Sequence, residues 1–74
     1  MTRAEQLKAL KADVDALAQA DEATVLAALP QWDSLSILLV VSHFEHVHAC
    51  EITGVQVRAC RTVADLLAHI PPLS

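Results

Sequence analysis

The residues whose types and spacing suit chemistry fall in two stretches. The first is Leu29 to Leu39, LPQWDSLSILL, where Ser34 stands between Asp33 and Leu35 ahead of a strongly apolar run. Asp33 and Ser34 are both residues that start helices, and a serine hydroxyl left exposed there is also a candidate chemical attachment point. As an N-cap, the Asp33 carboxylate would accept a backbone amide and contribute about 1 kcal/mol. The second stretch holds His43, His46 and His48, with Cys50 close behind. His43 and His46 are three apart, so on a helix their side chains converge. A structural zinc site takes four ligands in closed geometry. His48 is expected to point elsewhere and Cys50 to lie beyond the helix, so the histidines read as surface residues and no metal is expected. Protonating all four histidines of the chain would move its formal charge from −4 to 0. Solubility or partner binding is therefore expected to weaken between about pH 7 and 5.5. Neither Cys50 nor Cys60 has a nameable base or oxyanion hole beside it, so no catalytic residue is expected.

The elements that must position these residues read as helices. The chain has 74 residues, 54% of them hydrophobic, with one glycine and only Trp32 and Phe44 as aromatics. It reads as a single domain, 1–74, with a thin core built from Leu, Ala and Val. Arg3, Lys8, Lys11, Arg58 and Arg61 form no basic run, so there is nothing to neutralise the phosphates of nucleic acid. A mildly acidic monomer of this kind suits a protein partner with basic groups better. The longest uninterrupted apolar run, Ile37 to Val41, is too short to span a bilayer. The first residues, MTRAEQLKAL, are charged and amphipathic rather than a secretory signal. A cytoplasmic location with reduced thiols is the expectation.

Helix starts are legible along the chain. Thr2 to Glu5 fits a capping box, and Leu7, Leu10, Val14 and Leu17 follow at helical spacing, which predicts a helix over 3–18. Residues 19–33 form the longest connection, pinned by Val25, Leu26 and Leu29 and containing a helical turn that Pro30 closes. A second helix begins at Asp33 or Ser34 and fades near Ala49. Its inward stripe is Ile37, Val40, Val41, Phe44 and either Val47 or His48. Leu35, Leu38 and Leu39 extend the apolar surface beyond that stripe, so the helix is either buried on most sides or offers a face to a partner. Thr53 to Gln56 opens a very short third helix. Thr62 to Asp65 opens a fourth, with Val63, Leu66, Leu67 and Ile70 inward and Pro71 and Pro72 at its end. The expectation is all-α: three longer helices and one short one, with a long loop between the first two.

These residues resemble the acyl carrier protein family, which includes peptidyl carrier domains. Asp33-Ser34-Leu35 resembles its D-S-L attachment motif. Phe44-Glu45 looks like its apolar-acidic step in the second helix, Glu51-Ile52 like the E-I segment that follows, and Thr62-Val63 with Leu66 and Ile70 like the opening of its last helix. All fall at the family's usual distances from the serine without a gap. The resemblance covers Leu29 to Ile70, and the first helix matches only in pattern. It implies a small four-helix bundle whose second helix opens on the attachment serine.

It also implies that a phosphopantetheinyl transferase moves 4′-phosphopantetheine from coenzyme A onto Ser34. Acyl groups are then carried as thioesters between acyl-loading and acyl-consuming enzymes. A helix start favours the new phosphate's charge by about 0.3–1 kcal/mol. Asp33 would sit beside the transferase's metal, and Leu35 would pack partly on the bundle and partly on that enzyme. Leu35, Leu39, Glu45 and Trp32 are the candidate docking residues, with Trp32 anchoring the loop against the second helix. Cys60 takes a position that is apolar core in the family, where it is expected buried and inert. Val40, Phe44, Cys60 and Leu67 should lie between helices, where the family's gap can shelter an acyl chain; in this chain they read as ordinary core. The departure is on the second helix, where Leu39, His46 and Val47 occupy positions that are often acidic. That points away from ordinary fatty-acid synthesis and towards a dedicated pathway. The expected function is thus a non-enzymatic carrier. The alternative is a helical protein-interaction module without a prosthetic group, and a third reading is a metal-binding or redox module.

Overall fold

The computed structural model describes residues 2–71. They form four α-helices: α1 (Arg3–Asp13), α2 (Ser34–His48), α3 (Gly54–Ala59) and α4 (Val63–Leu67). Two single 3₁₀ turns, Asp15–Leu17 and Leu26–Ala28, lie in the connection between α1 and α2. Among the described residues there is no β-strand, and no helix is long and apolar enough to cross a membrane. Three helices open with the capping boxes that their sequences spell. Thr2 and Glu5, Thr53 and Gln56, and Thr62 and Asp65 each satisfy the other's backbone amide. Leu10, Val14, Leu17, Leu26, Val40, Phe44, Val57, Val63, Leu66 and Leu67 make the fully enclosed core, with Leu7, Leu29, Trp32 and Val41 packed at its margin.

Helix α1 ends at Asp13 and does not run on to residue 18. Val14 takes an extended conformation (φ −120°, ψ 102°) while its amide still reaches the Leu10 carbonyl. The chain then restarts in the 3₁₀ turn, which brings Leu17 and Ala20 inward. A carboxylate in a last turn opposes the helix dipole; here Asp13 is held by His43 across the α1–α2 junction.

The long connection is pinned, but by backbone as much as by side chains. Val25 and Thr62 form an isolated antiparallel bridge, in which Leu26 donates to the Arg61 carbonyl at 2.9 Å and Val63 to the Thr24 carbonyl at 3.1 Å. Ala64 donates to Glu22 at 3.0 Å. The Val25 side chain consequently stays exposed, although the sequence placed it among the pinning residues; Leu26 is buried and Leu29 half-buried. Leu29, ahead of Pro30, is extended as expected.

Helix α4 is shorter than expected, five residues long. The described residues thus hold two longer helices and two short ones. Beyond Leu67 the turn tightens, with His69 donating to Leu66 and Ile70 to Leu67, which carries Ile70 into the core before Pro71. Helix α2 ends at Ala49, in the left-handed conformation (φ 49°, ψ 38°).

Candidate functional site

Ser34 is the first residue of α2 and is exposed. Asp33, extended just before it, is the N-cap: its Oδ1 accepts the Ser36 amide at 3.0 Å. Ser36 supplies a second tie that the sequence reading overlooked. It is buried, and its hydroxyl donates to the Gln31 carbonyl at 2.9 Å, with Asp33 Oδ1 at 3.2 Å. The Pro30–Asp33 turn is thereby fastened onto the helix. The available signal was the D-x-x-S spacing, which lets one carboxylate meet both the amide and the hydroxyl of the same residue.

The result is a rigid start to α2 with its own donors left over. Among the described residues, neither the Ser34 hydroxyl nor the amides of Ser34 and Leu35 have a hydrogen-bond partner. Two free amides at the positive end of a 15-residue helix make a favourable place for an anion. An open cleft of about 360 Å³ runs beside this helix start, lined by Asp15, Ala16, Pro30, Gln31, Asp33, Leu35, Ser36 and Leu39.

The remaining candidates separate by position. Leu35 is 64% exposed and lies largely off the core, as does Leu38 at 64%; Leu39 is 37% exposed. Leu35 and Leu39, four apart on one face, both border the cleft next to Ser34. Trp32 is half-buried against the core, where it anchors the turn before α2. Glu45 is exposed, further along the helix. Val40, Phe44 and Leu67 are enclosed between helices, whereas Cys60 is only half-buried and not the buried core residue expected. Its thiol donates to the Gln56 carbonyl, and burial, then the nearby Asp65 carboxylate, push it above the ordinary thiol range. Cys50 donates to the His69 carbonyl at 3.3 Å, and both thiols are free.

The histidines depart most from expectation. His43 and His48 are 3% and 5% exposed and face inward together, while His46 is the one outside, its Nδ1 on the Ser42 carbonyl. The inward stripe of α2 is Ile37, Val40, Phe44 and His48, with Val41 half-buried and Val47 exposed. Among the described residues, no group of three or more His, Cys, Asp or Glu side chains is arranged to hold a metal ion. Comparison of the chain with protein-family models, with curated proteins and with solved structures finds no match.

Proposed function

We propose that this chain is an acyl carrier protein, a four-helix carrier whose Ser34 hydroxyl bears 4′-phosphopantetheine. One observation carries the reading: the serine of an Asp-Ser-Leu sequence is the exposed first residue of a capped 15-residue helix, its hydroxyl unengaged. That arrangement fits the group. In the transfer, Ser34 Oγ forms a phosphodiester bond, the pyrophosphate bond of coenzyme A breaks, and the adenosine bisphosphate half leaves as the hydroxyl proton is removed by the transferase. The amides of Ser34 and Leu35 face the added charge, and Asp33 and Ser36 keep that helix start from fraying. When attached, the group supplies a thiol on a flexible arm, to which acyl groups are joined as thioesters.

The chain's own part in the process is presentation. Leu35, Leu39 and Glu45 on α2, with Trp32 before it, form the surface offered to the transferase and then to acyl-loading and acyl-consuming enzymes. The predominantly apolar character of this face favours partners of a specialised pathway over enzymes that dock through basic residues.

The test is incubation with coenzyme A, magnesium and a broad-specificity phosphopantetheinyl transferase, followed by intact mass measurement. A single phosphopantetheinyl addition that is absent from Ser34→Ala is expected. No addition to a demonstrably folded sample would refute the assignment. The second reading is an interaction module without a prosthetic group, favoured by the exposure of Leu35 and Leu38. It predicts an unmodified protein in the same experiment.

A further inference from the structure

The C-terminal half of α2 holds a feature that the reading of Ser34 leaves unused. His43 and His48 lie inside, their ring centroids 5.5 Å apart and their planes at 71°. Phe44 completes the cluster, edge-on to His48 at 5.9 Å. His43 Nδ1 donates to Asp13 Oδ2 on α1. Among the described residues, His43 Nε2 and both ring nitrogens of His48 are buried without a hydrogen-bond partner. Native interiors rarely leave such groups unpaired, because each costs its full desolvation penalty.

We propose that the buried His43–His48 pair makes the packing of α1 against the C-terminal half of α2 acid-labile. Neither ring nitrogen of His48 has a hydrogen-bond partner among the described residues to take a proton's charge, and the protein accommodates that proton by releasing this end of the helix to water.

The charged surroundings do not relieve that proton. From α1, Asp13 is the one carboxylate among the described residues within ion-pair distance of either ring, and it is engaged by His43. Lys8 and Lys11 line a separate groove with Glu22. On α2 itself Glu45 and His46 are exposed; Glu51 just after it, Arg58 on α3 and His69 after α4 are exposed as well. The α2 dipole favours a cation at its last turn, but burial, then the neighbouring His43, push His48 below the ordinary histidine value of 6.5. The unfolded chain therefore binds a proton near pH 6.5 that the folded chain refuses, and stability falls as pH drops through that value. Glu5 and Asp65, which backbone amides hold below the ordinary carboxylate values, lose their contributions only in more acidic solution.

The test is urea unfolding of the full chain, followed by Trp32 fluorescence and far-ultraviolet circular dichroism, from about pH 7.5 to about pH 5. The unfolding constant is expected to rise below about pH 6.5, with a limiting slope of about tenfold per pH unit for one linked proton. His48→Phe keeps a ring against Phe44 and removes both unpaired nitrogens. Its unfolding midpoint at the acid end should exceed that of the parent, and its pH dependence should be flatter. Proton uptake on unfolding the parent protein near pH 6, read by calorimetry in two buffers of different ionisation heat, gives the same answer without a variant. A parent midpoint that does not move, equal pH dependence in His48→Phe, or no proton uptake would each overturn the proposal.

Discussion

Replacing Asp33 separates its two assigned roles, because Asn keeps the capping geometry and Ala does not. In Asp33→Ala the Ser36 amide loses its acceptor, whereas the Ser36 hydroxyl keeps the Gln31 carbonyl. One backbone donor is orphaned, and at a partly buried position. The expected loss is about 1–2 kcal/mol, the upper range for a helix N-cap. Asp33→Asn retains an oxygen for the same amide and loses only the charge at the positive end of α2, a loss of about 0.3–1 kcal/mol. For a domain of this size, each kcal/mol moves Tm by about 4–8 °C, so thermal and urea unfolding resolve the two. The modification assay adds the other half: if the Asp33 carboxylate meets the transferase's metal, Asp33→Asn should be modified far more slowly while remaining nearly as stable as the parent. Equal destabilisation by Asn and Ala would refute the capping account. Normal modification of Asp33→Asn would confine Asp33 to capping.

Two further substitutions test other helix ends. Ala49 closes α2 with φ 49°, a conformation that costs an L-residue about 1–2 kcal/mol. Ala49→Gly should thus raise stability by about 0.5–1 kcal/mol after glycine's greater freedom in the unfolded chain is subtracted, and a lower Tm would contradict it. Asp65 accepts the amides of Thr62 and Arg61, each at 3.0 Å, and these two bonds, in that order, hold its carboxyl below 3.8. Its contribution is present above that value and is lost as pH falls through the lower, folded value. Asp65→Asn should show a shallower loss of stability below about pH 4 than the parent, and equal slopes in a urea titration would count against it.

What could be read from the chain in advance was local. Thr2 with Glu5, Thr53 with Gln56 and Thr62 with Asp65 each close a ring over three residues, so side-chain type and spacing alone specify them. Asp33 as the cap and Ser34 as the exposed first residue of α2 are visible for the same reason. The features that escaped depend on partners far along the chain. The break at Val14 interrupts an unbroken apolar periodicity, and the bridge between Val25 and Thr62 uses backbone groups, which carry no sequence signature. The periodicity allowed His48 a place inside, on the line through Ile37, Val40 and Phe44, but residue type argued for the surface. His43 found its compensating partner thirty residues away, in Asp13.

Those two kinds of feature divide α2 and give its ends opposite characters. At the N-terminal end every buried polar group has a partner: Ser36 satisfies Gln31 and Asp33, and the unpaired donors of Ser34 and Leu35 belong to exposed residues. At the C-terminal end three buried nitrogens have none among the described residues. Unpaired buried groups set where a helix gives way first, since opening to water recovers their hydration. Fourteen residues of helix at 1.5 Å each separate Ser34 from His48, about 21 Å, so the end proposed to be acid-labile can loosen without touching the cap ahead of Ser34. Asp33 and His48 substitutions should consequently add in stability, as independent sites that share no partner do. A marked departure from additivity in Asp33→Ala with His48→Phe would mean that α2 opens as one unit, and that its two ends are not separate devices.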